Sequence, residues 1–501
     1  MHKIGIIDLG SNTTRLIVMA YEPGRCFRLT DEVSESVRLA EGFSATGLLQ
    51  SEPIRRAVQA LTMFERFCQS TGVTRIVAVG TSAIREAPNQ AEFWDALRQA
   101  TTLDLQIISA EDEARYGFLG AANALGLREG FSFDTGGGST QVVAVSGGRP
   151  THSFSAQAGV LRFTERYVKH DPISKRELKT LREAAHKVFA PLDWLRVAPG
   201  YTLVGMGGTV RTLARIDQKA RLYPIDRVHG YGLSRAALAE SIEQLARKTR
   251  RERELIPGLK ADRADVTLAG AVIIEQLMDR GGFSQLTVSG QGVREGIFYS
   301  HFLAGYELPM LPDPRGFSVR NLARLTHYEE AHCQKVAELS LSLFDQLGPL
   351  HGYGAWEREL LAHAAVLHDI GVSVGYYDHH KHGEYLVHNG TLLGFTHREV
   401  ALLGALVRNH RKGLSDASAY QAVLQPDDPQ RIARLSALLR IAEYLERGKS
   451  QQVQALRVEI GASVRVYVRA DGDASLEIWD ASRRAGLFRK TFERDLELIA
   501  A

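Results

Sequence analysis

Asp8-Leu-Gly-Ser-Asn-Thr-Thr-Arg15 and Asp134-Thr-Gly-Gly-Gly-Ser-Thr-Gln141 decide how this chain reads. The first follows the apolar run Ile4 to Ile7 and precedes Leu16 to Ala20; the second follows Phe131 to Phe133 and precedes Val142 to Val145. Superposed, Asp8 falls on Asp134, Gly10 on Gly136 and Thr13 on Ser139. Each copy reads as strand, tight glycine turn, strand: a β-hairpin whose turn offers backbone N–H groups. Two more turns of the same kind are expected, at Gly205-Met-Gly-Gly-Thr209 after Tyr201 to Val204, and at Ser289-Gly-Gln-Gly292 after Leu286 to Val288.

Helices fall between them. Ser51 to Gln69 has Ser51 as its expected cap, Pro53 in the first turn and Gly72 beyond its end. Glu111 to Leu125 opens with the capping spacing Ser109…Asp112 and stops at Gly126. The first part therefore reads as two related α/β halves, residues 1–126 and 127–305. Pro309, Pro312 and Pro314 mark a linker. A mostly helical stretch, 306–450, follows. The tail, 451–501, alternates Val464, Val466, Val468 and then Leu476, Ile478, as a small sheet-bearing appendage would.

Composition removes most other classes. At 501 residues, 44% apolar and 24% charged, the chain is globular and long enough for about three domains. No apolar run approaches the ~20 residues of a membrane span. The start offers only His2 and Lys3, and its apolar run is cut by Asp8, so no secretory segment is expected. Cys26, Cys68 and Cys333, odd in number and far apart, suit a reducing compartment; the expected location is the cytoplasm. A net charge of +3 does not announce a specific nucleic-acid binder. The run Arg247 to Arg251 reads as a solvated helix face or an anion contact. Eleven of the 17 histidines lie between His327 and His410, which implies different chemistry in the two parts of the chain.

Two Asp-Xxx-Gly turns facing one another suit a ligand carrying several phosphates. Glycine lets backbone N–H groups approach oxygen closely, and the hydroxyls of Ser11, Thr13 and Ser139 add donors. An Asp at each strand end can hold a hydrated Mg²⁺, which needs only one or two carboxylates.

At this point the sequence resembles the exopolyphosphatase/guanosine pentaphosphate phosphatase (Ppx/GppA) family of the actin–Hsp70–sugar-kinase superfamily. The two phosphate motifs match, as do Gly80-Thr-Ser-Ala-Ile-Arg85-Glu-Ala, Ile108-Ser-Ala-Glu-Asp-Glu113-Ala-Arg115, Gly207-Gly208-Thr209 and Val293-Arg294-Glu295-Gly296. The resemblance implies duplicated actin-like ATPase halves with a ribonuclease H-like core, a helical HD-like domain and a small C-terminal α+β domain. It implies Glu113 as the catalytic carboxylate and Arg85 as a phosphate clamp, whose planar fork suits phosphate oxygens. Gly10, Ser11, Asn12, Thr13, Gly136, Gly137, Gly138, Ser139, Gly207, Gly208 and Thr209 would bind phosphate. Asp8, Asp134 and position 141 would organise Mg²⁺ or Mn²⁺. The family normally has Glu where this chain has Gln141, which is as long but neutral. From residue types alone, Glu111, Asp112 and Glu113 could equally be helix first-turn carboxylates favoured by the macrodipole.

The implied activity is Mg²⁺-dependent release of terminal phosphate from inorganic polyphosphate. The alternatives are hydrolysis of guanosine pentaphosphate to the tetraphosphate, a kinase of the same superfamily, and a non-catalytic nucleotide sensor. A homodimer is the family expectation. In the histidine-rich part, the order His332…His368-Asp369…Glu443 resembles the HD metal-dependent phosphohydrolases and implies a second divalent metal, with Glu443 where Asp is usual. A helical bundle with buried, hydrogen-bonded histidines is the other reading. His379 to His382 reads as a loop or as a ligand cluster. Arg408, His410, Arg411 and Lys412 are expected to form a track for a polyanion.

Overall fold

The computed structural model describes residues 1–411, 413–414 and 418–501, with Ser44 as backbone only. Its contacts divide the chain into two units, Met1–Pro314 and Arg315–Ala501. The division falls at the end of the proline stretch. Those prolines are not a free linker: buried Asn123 donates to the Pro309 carbonyl at 3.0 Å and accepts from Leu311 N–H at 2.7 Å, tying the segment to the first unit.

The first unit holds two sheets of matching plan. In one, β1 (His2–Leu9), β2 (Thr14–Glu22) and β3 (Cys26–Glu35) form an antiparallel meander. β4 (Arg75–Gly80) adds parallel to β1, and β5 (Leu105–Ile107) parallel to β4. The other repeats this with β6 (Gly130–Thr135), β7 (Thr140–Ser146), β8 (Arg149–Ala156) and the parallel β9 (Thr202–Met206). There β10 (Gly232–Ser234) pairs antiparallel with β11 (Gln285–Val288), itself parallel to β9. The strand orders β3-β2-β1-β4-β5 and β8-β7-β6-β9-β11-β10 superimpose one half on the other. This is the duplicated actin-like α/β fold. Register sharpens the repeat: Asp8 pairs with Arg15 in one hairpin and Asp134 with Gln141 in the other, so Arg15 and Gln141 occupy equivalent positions.

The other two glycine segments are not hairpins. Gly207 opens the helix Gly207–Ala220 directly from β9, and Val293 opens Val293–Phe302 shortly after β11. Both lie on parallel strands, which cannot be joined by a tight turn and require a crossover. Ser51 is likewise the first residue of its helix, Ser51–Ser70, rather than its cap; Gln50 precedes it without a side-chain cap bond. For Ala110–Leu125 the expected signals hold. Ser109 Oγ accepts from Asp112 N–H at 2.9 Å, and Gly126 closes the helix in a left-handed conformation.

Helices from either side of residue 126 pack together. Val293–Phe302 lies against Ala110–Leu125, and the backbones approach so closely that a Cβ on Gly296 would sit 1.9 Å from the Tyr116 carbonyl oxygen. The same helix sets Phe298 and Phe302 edge-to-face against Phe27 of β3, centroids 5.0 and 5.1 Å apart. Edge-to-face aromatic pairs of this kind contribute about 0.5–1.5 kcal/mol each beyond area burial. Together these contacts fix the helix starts that carry Glu113 and Arg294.

In the second unit, helices Glu330–Gln346, Ala355–Leu367, His379–Asn389, His397–Asn409 and Asp428–Leu445 surround one apolar core. His379 to His382 is thus helical rather than a loop. The tail sheet, β12 (Val453–Ile460), β13 (Val464–Ala470) and β14 (Leu496–Ala500), shares that core through Val464, Val466 and Val468. Leu476 and Ile478 belong to the helix Ser475–Arg483, not to a strand; two alternating residues carry too little periodicity to tell the two apart. The three cysteines are buried and none is in a disulfide. No helix of the described residues is long and apolar enough to cross a membrane.

Candidate active site

The two hairpin turns abut. A Cβ on Gly137 would lie 2.9 Å from Asn12 N, and one on Gly138 would lie 2.7 Å from Ser11 Oγ and 2.5 Å from Ser82 Oγ. Larger residues could not bring the two halves this close. Around this contact a cavity collects residues 10–13 and 136–139, Asp8, Asp134, Glu113 and Gln141. The first turns of Gly207–Ala220 and Val293–Phe302 reach it as well, supplying Gly207, Gly208 and Thr209. Helix N-termini bring unpaired N–H groups and the positive end of the dipole, a setting that favours anions. Apart from Arg85, every phosphate and metal residue expected in the first unit lines this cavity.

Arg85 is turned elsewhere. Its Nη1 donates to Glu113 Oε2 at 3.1 Å and to the Ile108 carbonyl at 2.9 Å, and it does not line the cavity. The guanidiniums that do are Arg15, Arg211, Arg263 and Arg294. Arg211 donates to the Gly290 carbonyl and Arg294 to Glu32 at 3.0 Å. Among the described residues no carboxylate lies within salt-bridge distance of Arg15 or Arg263. Burial, with the neighbouring cations, pulls Arg15, Arg211 and Arg263 down to about 10, so they stay charged at neutral pH but repel one another. An anion would relieve that. Arg15 and Arg294 stand inside the matched motifs, so their positions were legible. Arg211 follows Gly208 by one helical turn, a detectable spacing, whereas Arg263 ends the short 3-10 turn Ala261–Arg263 and carried no signal.

The carboxylates show the opposite strain. Burial pushes Asp8 up to about 6, against the pull of Arg294 and Arg15. Burial likewise pushes Glu113 to about 7 despite Arg85, and raises Asp134. Asp8 Oδ1 is buried without a hydrogen-bond partner. Three crowded acceptors, one of them unpaired, fit a divalent cation held by oxygen. Gln141 lies opposite Asp134, its Nε2 donating to Ser139 Oγ at 2.8 Å.

In the second unit, His332, His368, Asp369 and Glu443, the set the resemblance implied, lie together: Glu443 Oε2 is 2.9 Å from His368 Nε2 and 3.2 Å from His332 Nε2. His379 and His410 join them around Asp369. The polyanion track does not form as expected. His410 is wholly buried in this cluster, Arg408 is paired with Glu384 at 3.2 Å, and Arg411 lies over the Tyr376 ring. Lys412 lies outside the described residues. Arg247 and Arg250 pair with Glu243 and Glu254 on their own helices, as a solvated face does.

The duplicated halves and the phosphate-directed cavity between their turns place the chain among actin-like proteins that act on phosphoanhydrides. Residues 17–304 match the model of the Ppx/GppA phosphatase family and residues 315–469 that of Ppx/GppA phosphatase domain III; the chain belongs to this family. It is similar in structure to the Aquifex aeolicus Ppx/GppA family member, at 29% identity over 61% of this chain and 99% of that one, TM-score 0.53. It is also similar to an exopolyphosphatase from Cytophaga hutchinsonii, at 25% identity over 61% and 99%, TM-score 0.56. A second Aquifex aeolicus Ppx/GppA enzyme structure matches at 30% identity over 59% and 98%, TM-score 0.51. The protein is a hydrolase of phosphoanhydride bonds.

Proposed function

We propose that this enzyme is an exopolyphosphatase that releases orthophosphate from the end of inorganic polyphosphate. The observation that carries the reading is the cavity lining. It is built of backbone amides, hydroxyls, four guanidiniums and carboxylates, and among the described residues no aromatic ring lines it to stack a nucleobase. Such a lining reads phosphate and little else.

In this reading the hairpin amides and the two helix N-termini hold the terminal phosphoryl group, while Arg15, Arg211, Arg263 and Arg294 balance the charge of the chain. Asp8 and Asp134 would hold Mg²⁺ or Mn²⁺, with Gln141 beside them. When bound, the metal neutralises phosphate oxygens. Glu113 takes a proton from water as the water oxygen forms its bond to the terminal phosphorus. The bridging P–O bond breaks, and the shortened chain leaves with that oxygen. A carboxylate near 7 is matched to this role at neutral pH. Glu113 would be held in place by Arg85.

Guanosine pentaphosphate would offer the same terminal phosphates with its base outside the cavity. Turnover of the two substrates compared under one buffer separates the readings. Higher kcat/KM on polyphosphate is expected, and a preference for the nucleotide would overturn it. Phosphate release without an added acceptor separates both from a kinase.

A further inference from the structure

Arg38 ties the two halves of the first unit together from outside every matched motif. It follows β3, between the buried Val37 and Leu39. Its backbone N–H donates to the Asn12 carbonyl at 2.9 Å, and Ala40 N–H donates to the Ser11 carbonyl at 2.9 Å, so this stretch lies along the first phosphate turn. Arg38 itself is left-handed, φ 47°, a conformation that a residue other than glycine keeps only where its surroundings impose it. Arg56 helps to impose it: its Nε donates to the Val37 carbonyl at 3.0 Å and its Nη2 pairs with Glu41.

From that backbone the side chain crosses to the second half. Nη1 donates to Asp265 Oδ2 at 2.7 Å and Nη2 to the Asp262 carbonyl at 3.2 Å, so the fork takes hold on either side of Arg263. The ion pair is shielded, its side chains 22% and 19% exposed. Asp265 Oδ1 is buried without a hydrogen-bond partner, so this carboxylate is held through its other oxygen. Arg263 needs such a hold. Its guanidinium lines the cavity against Gly208, among the described residues no carboxylate lies within salt-bridge distance of it, and Arg15 and Arg215 repel it. The chain that carries it is one short turn, Ala261–Arg263, joined to the next helix by Val266 N–H and Thr267 Oγ1, both donating to the Arg263 carbonyl.

We propose that Arg38 is a positioning residue: its backbone is fixed to the first phosphate turn, its side chain to Asp262 and Asp265, and it thereby holds Arg263 in the substrate cavity. The inference rests on the reading that Arg263 meets the substrate. One side chain then sets where the guanidinium of the second half stands relative to the phosphate turn of the first. A planar fork suits this, because it reaches two acceptors at once; an ammonium on a flexible stem does not fix both.

The test is steady-state kinetics of the full chain on polyphosphate and on guanosine pentaphosphate. Arg38→Asn tolerates the left-handed backbone, which keeps the bond to Asn12, but is too short to reach Asp265. KM should rise toward the roughly 10–100-fold expected of losing the Arg263 contact itself, with kcat changed far less. Asp265→Ala should do the same, and Arg38→Lys should fall between wild type and Arg38→Asn. In an Arg263→Gln background neither Arg38→Asn nor Asp265→Ala should add much, since the contact they position is already gone. Arg162 still pairs with Glu86 at 2.7 Å, and Gly42 N–H still donates to Glu165 at 3.1 Å, so the halves stay joined and the variants should fold. Circular dichroism checks this; where Asp265→Ala is not folded, Asp265→Asn serves. An unchanged KM in folded Arg38→Asn overturns the inference, as does an equal rise with and without Arg263→Gln, which would make the pair a brace of the fold alone. If Arg263→Gln itself leaves KM unchanged, Arg263 does not meet the substrate and the inference falls with that contact. A preference for the nucleotide overturns the substrate reading only, because the same pattern among the variants is expected on either substrate.

Discussion

Arg85 Nη1 sits 3.1 Å from Glu113 Oε2, a contact made from the short helix Ser82–Glu86 to the first turn of Ala110–Leu125. The arginine that the motif offers to phosphate is instead bound to the carboxylate proposed as the base. It also pulls the Glu113 carboxyl down against the larger effect of burial, which leaves that group near 7. We therefore propose Arg85 as a positioning residue that sets how much of the base is ionised.

The pH profile tests this. A base must be deprotonated to act, so kcat/KM should fall as pH drops through about 7, the Glu113 value in the free enzyme. Arg85→Gln removes the cation that favours the ionised form. The acid limb should then move to higher pH, with a lower plateau from a less well-held Glu113. A limb that stays in place, or moves acidward, would show that Arg85 acts elsewhere.

Glu113→Gln keeps the shape and removes the basicity. Turnover should drop by about 10²–10⁴-fold, the usual scale of general-base catalysis, while binding of polyphosphate changes little. Wild-type turnover in the purified variant would reassign the base.

Most of the first unit was legible because its signals are local. Each hairpin is a strand, a glycine turn and a strand within about fifteen residues, and its Asp, Gly and hydroxyl positions all reach the cavity. The cap of Ala110–Leu125 was equally local. The misreadings concern contacts between distant segments. Gly205 to Thr209 resembles a hairpin turn until the parallel pairing of β9 with β6 requires a helix next. Arg263 reaches the site from the short 3-10 turn Ala261–Arg263, and its guanidinium lies against Gly208. His410 reads as one of a basic run, since nothing in Arg-Asn-His-Arg-Lys says that the helix His397–Asn409 aims it inward at Asp369 and His379.

Gln141 pairs in register with Asp134 and bonds to Ser139, at the place where the family resemblance implies Glu. Gln141→Glu adds a negative charge beside a group already raised by burial. The Ser139 hydroxyl can turn to donate to the new carboxylate, so the fold should tolerate it. Half-maximal activity should come at several-fold lower Mg²⁺, because three carboxylates would face the ion instead of two. Superimposable Mg²⁺ titrations of the two forms would place position 141 outside the metal's reach.

Gly208 tests the guanidinium wall without deleting a charge. A Cβ there would fall 2.3 Å from Arg263 Nη1 and 2.4 Å from its Cζ. The flexible side chain can yield, so Gly208→Ala should fold and displace Arg263 from the cavity. Losing a charge-assisted hydrogen bond costs about 1.5–3 kcal/mol, hence a rise in KM of roughly 10–100-fold. Glu113 is untouched, so kcat should fall far less. Affinity for a polyanion that engages several cations depends on salt through counterion release, and withdrawing one cation should lower that slope by about one unit on log–log axes. Arg263→Gln should reproduce both changes, and combining the two substitutions should add little, since each removes the same contact. If Gly208→Ala raises KM with an unchanged salt slope, or if the double variant is additive, Arg263 does not meet the substrate and Gly208 is small for a reason confined to the helix start.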